Sequence, residues 1–155
     1  MEQEKKELIY DNEMALIFDA IGCNEALARM TVMAFLTPLN PTMEEIADVK
    51  TAVSEAVTNS IIHGYDGKAG KIHLLCRMKH RTLFVEIRDE GAGISDIAKA
   101  MEPTYTTRPE LERSGMGFSF MEAFMDELSV KSELGKGTVV YMTKTIAEQD
   151  EPIAD

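Results

Sequence analysis

The sequence predicts an α+β domain, a two-layer sandwich in which helices cover one face of a mixed, mostly antiparallel sheet. Three observations predict it. Apolar, β-branched and helical segments follow in the order β-α-α-β-β-(loop)-α-β-β, so neighbouring strands mostly connect directly instead of through crossover helices. The 155 residues are 45% apolar and 28% charged, the size and balance of one globular unit with a real core. No internal repeat or low-complexity linker divides the chain, so residues 1–155 are expected to form a single domain with frayed polar ends at 1–7 and 147–155.

The elements follow in order. Residues 14–20 (MALIFDA) form a short apolar run, expected as a strand. Asn24 is placed to cap a helix running to about residue 36, with Ala26, Leu27, Met30, Met33 and Ala34 at helical spacing. Pro38 and Pro41 then break the chain. Thr42 with Glu45 three residues on has the form of a capping box, which predicts a long helix over 43–63. Gly64, Asp66, Gly67 and Gly70 supply the turn after it. Residues 71–78 and 82–88 are rich in β-branched and apolar side chains and read as a hairpin joined at His80 and Arg81. Residues 90–115 show only weak periodicity, and a stretch of that length inside a compact domain is often a lid or binding loop. A helix is expected over 118–128, then strands at 129–132 and 138–146 around a turn at 135–137.

Composition excludes several classes of function. The net charge is −11, from 27 acidic against 16 basic residues, with no basic stripe, so neither nucleic acid nor an anionic membrane surface is an expected partner. No apolar run approaches the roughly 18–20 residues of a membrane span. The opening MEQEKKELIYDNEM lacks the apolar core of a secretory signal, so a soluble cytoplasmic protein is expected. Cys23 and Cys76 show no metal spacing and are expected as small buried side chains, not as a disulfide or zinc ligands.

Four features carry possible chemistry. On the 43–63 helix, Ile46, Val49, Val53, Val57 and Ile61 fall in one stripe facing the sheet, while Glu55 and Asn59, four apart, neighbour each other on the other side with Asp48 a heptad before. After the strand LFVEIR comes Asp89-Glu90-Gly91-Ala92-Gly93, whose glycines permit positive φ and close approach of backbone to a ligand. A dinucleotide fingerprint is rejected, because position 96 is Asp where a third glycine would stand and no βαβ context surrounds it. Ser114-Gly115-Met116-Gly117-Phe118 opens a helix, where free N–H groups suit an anion, and no P-loop lysine pattern occurs. Gly135-Lys136-Gly137-Thr138 is by itself a hairpin turn entering a strand.

In this order the boxes resemble those of the ATP-binding fold shared by gyrase-type topoisomerases, histidine kinases and mismatch-repair ATPases (the GHKL superfamily), over residues 42–146. The segments PTMEEIADVKTAVSEAVTNSIIHGY, IRDEGAGI and TTRPELERSGMGFSFMEAFMD, with NEALARMTVMAF near the N-terminus, resemble more closely the serine-kinase anti-sigma factors of the sporulation sigma factor F. The resemblance implies an ATP- and Mg2+-dependent protein-serine kinase that sequesters a sigma factor as a homodimer and phosphorylates an anti-anti-sigma protein. It assigns Glu55 as catalytic base and Asn59 as magnesium ligand. Asp89 would accept a hydrogen bond from the adenine amino group, with Gly91 and Gly93 letting the base lie against backbone. Gly115, Met116, Gly117 and Phe118, with Ser114 before them, match the box whose amides meet the phosphates, and Thr138 matches the last box near the adenine. In the lid, Arg108 and Arg113 are the available cations for the phosphates, with Thr106 and Thr107 as hydroxyls. Arg29 matches an arginine used in docking sigma factor and anti-anti-sigma protein. His63 stands at the helix end, near the nucleotide at most, and Met30 and Met33 are candidates for an adaptable dimer face.

The physics agrees with the first two roles. Transfer to a serine needs a carboxylate to accept the hydroxyl proton and an oxygen ligand for a metal that also holds phosphates. One helical turn sets such groups about 5–6 Å apart. The Glu-Asn pair does not by itself distinguish a base acting on water from one acting on a protein hydroxyl. A stress-response anti-sigma kinase, a stand-alone histidine-kinase-like ATP module and a pure nucleotide-binding module are the other readings. No histidine precedes His63, so any phosphoacceptor histidine would belong to another protein. On all the ATP-binding readings, the face of the 43–63 helix turned from the sheet is expected to be roofed by a purine triphosphate.

Overall fold

The computed structural model describes residues 10–102 and 117–149. Strand β1 (Asn12–Asp19) leads into helix α1 (Asn24–Leu36), and α2 (Met43–Asn59) continues into a wider π turn at Ser60–Gly64. The hairpin β2 (Lys71–Lys79) and β3 (Thr82–Asp89) follows, then a short helix α3 (Ile97–Ala100), α4 (Gly117–Phe124), β4 (Glu127–Glu133) and β5 (Gly137–Thr145). The strands form one sheet in the order β1-β2-β3-β5-β4, and every described pairing is antiparallel, so the mixed component expected from the sequence does not occur among the described residues.

Alternation decides which face is covered. Ile72, Leu74, Cys76 and Met78 of β2, Leu83, Val85 and Ile87 of β3, and Val140 and Met142 of β5 are all buried on one face, beneath the helices. Val49, Ala52, Val53, Ala56 and Val57 of α2 lie fully buried against them, whereas Ile46 and Ile61 at the ends of the expected stripe are half-buried. The capping box forms as read: Thr42 Oγ1 accepts the Glu45 N–H at 3.1 Å, and Glu45 Oε1 accepts the Thr42 N–H at 2.9 Å. Glu45 Oε2 also accepts the Ala147 N–H at 2.9 Å, and Arg81 donates to the carbonyls of Leu39, Ile146 and Ala147. Ala147, expected to start a frayed end, is therefore fastened under the start of α2 together with Ile146 before it.

Several local expectations are corrected. Asn24 does not cap α1; Cys23 holds the cap position, and the Asn24 amide donates to the Asp19 carbonyl at 2.9 Å, tying the helix to the end of β1. The buried face of α1 is Ala28, Val32, Phe35 and Leu36, so Leu27 and Met30 belong to a second, exposed apolar stripe. The helix expected over 118–128 stops at Phe124, and Leu128 lies in β4. The Lys144 ammonium marks that end, donating to the Phe124 carbonyl at 2.8 Å while standing 3.5 Å from Asp48. Cys76 is buried, which pushes its thiol up to about 12, but Cys23 is exposed at the surface.

Candidate functional site

The inward-facing positions of β3 run Leu83, Val85, Ile87 and then Asp89, so the aspartate occupies a core position at the strand end. In the sheet it pairs with Ile72 of β2 and Thr138 of β5, and Thr138 pairs with Ser132 of β4. A row of polar side chains thus replaces the apolar rows at this end of the sheet. Asp89 is 4% exposed, and burial pushes its carboxyl above the usual range even though the Gly91 N–H, the Ser60 hydroxyl and the Thr138 N–H all donate to it.

This row floors a cavity of about 270 Å³. The end of α2 forms one wall through Ala56, Asn59 and Ser60, with His63 and Gly64 beyond. Gly93, Ile94 and Ala100 close another side, and Gly117 and Phe118 bring in the start of α4. Leu134 and Val140 add apolar surface. The cavity lies on the flank of α2, taking in its core-side residues Ala56 and Ser60, and so is not on the face directly opposite the sheet as expected. The wide turn at Ser60–Gly64 accounts for this, because it carries the chain past Asp89 toward β3.

The glycines serve distinct ends. Gly93 has φ +75°, and a Cβ there would stand 2.2 Å from the Glu133 carbonyl oxygen. Gly91 has no positive φ; its role is close approach, since a Cβ would stand 2.2 Å from the Gly64 carbonyl oxygen, which accepts the Ala92 N–H at 2.7 Å. Strand end, α2 end and loop are therefore held in direct backbone contact around Asp89. At Gly117 a Cβ would lie 2.9 Å from the Asn59 amide nitrogen, so the first residue of α4 is pressed against the Asn59 side chain.

The structure thus brings Asn59, Asp89, Gly93, Gly117, Phe118 and Thr138 to one cavity, with Gly91 directly behind Asp89. Glu55 lies one turn before Asn59, half-buried, and is not part of the cavity wall. Arg29 lies on α1, with its Nε 3.6 Å from Glu25, whose carboxylate also accepts the Ser54 hydroxyl of α2. Thr106, Thr107, Arg108, Arg113, Ser114, Gly115 and Met116 lie outside the described residues. Ser60, Ile94, Ala100, Leu134 and Val140 were not singled out from the sequence. Of these, Ser60 had a local signal, since it adjoins Asn59 and interrupts the apolar stripe.

Among the described residues no three of His, Cys, Asp and Glu gather to hold a metal. The Asn59 amide beside Gly117 is a single neutral oxygen donor, which fits a hard cation brought in and mostly held by phosphates, not a resident cage.

Residues 24–144 match the Histidine kinase-like ATPase domain, a span that includes every wall of the cavity. The chain is 56% identical to the Anti-sigma F factor of Clostridium acetobutylicum over 137 residues, 88% of this chain and 96% of that one. It is 53% identical to the Anti-sigma F factor of Oceanobacillus iheyensis over 138 residues, again 88% of this chain and 94% of the relative. Among solved structures, the RsbU and RsbW domains of Rv1364c from Mycobacterium tuberculosis share the fold, with a TM-score of 0.64 at 19% identity over 93% of this chain and 34% of that chain. With identity above one half across nearly the whole of these relatives, and an ATPase-domain match enclosing the cavity floored by Asp89, the chain belongs to the anti-sigma F factor family of histidine kinase-like ATP-binding domains.

Proposed function

We propose that this chain is an anti-sigma factor that holds a sigma factor and, using ATP and Mg2+, phosphorylates a serine of an anti-anti-sigma protein. The observation that carries the reading is the convergence of α2, β3 and the start of α4 on one cavity, with a buried acceptor, Asp89, at its floor and an oxygen donor, Asn59, toward α4. An adenine would have Ile94, Ala100 and Leu134 as its apolar surroundings and Asp89 as the acceptor for its amino group. Asn59 and Gly117 would meet the phosphates, and the resemblance supplies Ser114, Gly115, Met116, Arg108, Arg113, Thr106 and Thr107 from the adjoining segment. A magnesium ion held by the phosphates and the Asn59 oxygen would neutralise charge on the transferring group. Glu55, one turn before Asn59 on α2, would act as the base for an incoming protein hydroxyl, taking the proton while the serine oxygen bonds to the γ-phosphorus and ADP leaves.

The second stripe of α1 supports the partner side of the proposal. Leu27 is 46% and Met30 60% exposed, flanking the partly exposed Arg29, which stands 3.6 Å from Glu25 on the same helix. An apolar helix face around a cation suits a protein partner of complementary charge, or a second copy in a homodimer. Met33, by contrast, packs against the core.

The direct test is incubation with γ-labelled ATP and a candidate anti-anti-sigma protein, followed by mapping of the labelled residue. Phosphoserine on the partner is expected; label on histidine or aspartate, or none, overturns the reading. Asn59→Ala is expected to weaken ATP binding about tenfold with magnesium present and leave metal-free binding unchanged, which titration calorimetry with and without chelator measures.

A further inference from the structure

The polar row at the cavity floor ends in Ser132 of β4, a half-buried residue that is not part of the cavity wall. Its hydroxyl has one hydrogen to give and two lone pairs. It accepts the Ile94 backbone N–H at 2.7 Å. It stands 3.0 Å from the Gly137 carbonyl oxygen, which has no hydrogen to donate, so the Ser132 hydrogen goes there. Thr138 Oγ1 is 2.8 Å away, and the arrangement that keeps both contacts as hydrogen bonds has the Thr138 hydroxyl donate to Ser132. Every donor and acceptor of Ser132 is then used once.

The consequence falls on Thr138, which does line the cavity. With its hydrogen turned to Ser132, it offers the cavity lone pairs alone. Asp89, paired with it across the sheet, is likewise an acceptor, already taking hydrogens from Gly91, Ser60 and the Thr138 backbone. Two adjacent acceptors suit a ligand edge that carries hydrogens. An exocyclic amino group has two; a carbonyl at the same position has none and would leave both acceptors facing a third lone pair.

We propose that Ser132 is a positioning residue that sets the direction of the Thr138 hydroxyl and thereby makes the cavity select a 6-amino purine over a 6-oxo purine. This rests on the cavity being an adenine-nucleotide site. Removing the Ser132 oxygen frees the Thr138 hydrogen to turn into the cavity, where it can pair with a 6-oxo group.

Calorimetric Kd values for ATP and ITP test this in the wild type, Ser132→Ala, Ser132→Thr and Thr138→Val. The wild type is expected to prefer ATP, with the ITP-to-ATP Kd ratio falling about tenfold in Ser132→Ala and being kept in Ser132→Thr, which retains the hydroxyl. Thr138→Val, which removes an acceptor facing the 6-position, is expected to lower the ratio too and keeps the test open if Ser132→Ala fails to fold. An unchanged ratio in the folded variants, with both affinities shifted equally, overturns the proposal and makes Ser132 a structural tether of Ile94. A wild type that binds neither nucleotide overturns the adenine-site reading itself, which is a separate result.

Discussion

Glu55→Gln is expected to lower the rate of serine phosphorylation by about 10²–10⁴-fold, the usual contribution of a positioned general base, while ATP affinity stays within about twofold of wild type. Glutamine keeps the size and the oxygen of the side chain but cannot take a proton at neutral pH. The expectation that binding survives comes from placement: Glu55 is one turn from Asn59 but is not in the cavity wall. Single-turnover phosphorylation with the partner protein in excess reads the chemical step, and calorimetry reads ATP binding separately. Wild-type phosphorylation by Glu55→Gln would remove the residue from the role of base. An equal loss of affinity and rate would instead make Glu55 part of the nucleotide pocket.

How far the sequence discloses this site depends on how local each signal is. The capping box at Thr42 and Glu45 spans three residues, and both of its hydrogen bonds form. The pairing of β2 with β3 was equally local, through the two-residue connection at His80 and Arg81; His80 adopts φ +53° there. The end of α4 is misplaced because Met125, Leu128 and Val130 continue an apolar pattern that helix and strand share, and what marks the end is distant in sequence: the Asp126 N–H turns to the Thr143 carbonyl at 2.8 Å and Lys144 takes the Phe124 carbonyl. Apolar residues surround α1 on two sides, so spacing alone did not tell the face against the sheet from the exposed one. Asp89 was legible in part: the alternation Leu83, Val85, Ile87, Asp89 puts it inward, while the Asp-x-Gly-x-Gly pattern marks the strand end. Ser132 was not legible. A serine between Lys131 and Glu133 reads as surface, and its importance arises from register with Thr138 and from the Ile94 N–H, 38 positions away.

Asp89→Asn is expected to cost at least tenfold in ATP affinity, and up to about a hundredfold, since hydrogen bonds to a charged group are worth roughly 1.5–3 kcal/mol. Stability should move the other way. An unfolded aspartate titrates near 3.8, and burial raises Asp89 above that value despite the three hydrogen bonds it accepts. Between the two values the native protein holds a proton that the unfolded chain has released, so stability is greatest below 3.8 and declines as pH rises through the folded value. Above that interval the ionised carboxylate is a standing cost, which the asparagine does not bear. The melting temperature of Asp89→Asn should therefore exceed that of wild type at pH 7, with the gap closing on acidification below about pH 4. Wild-type affinity for ATP should fall over the same acidic interval, because protonation removes the negative acceptor. Melting curves from pH 3.5 to 8 with parallel nucleotide titrations distinguish two natures for this side chain. A variant that is steadier and yet loses ATP shows a carboxylate retained for its ligand against the interest of the fold. A variant that melts lower at pH 7 shows that the bonds from Gly91, Ser60 and Thr138 outweigh burial, and that Asp89 anchors the junction of α2, β3 and β5 before it binds anything.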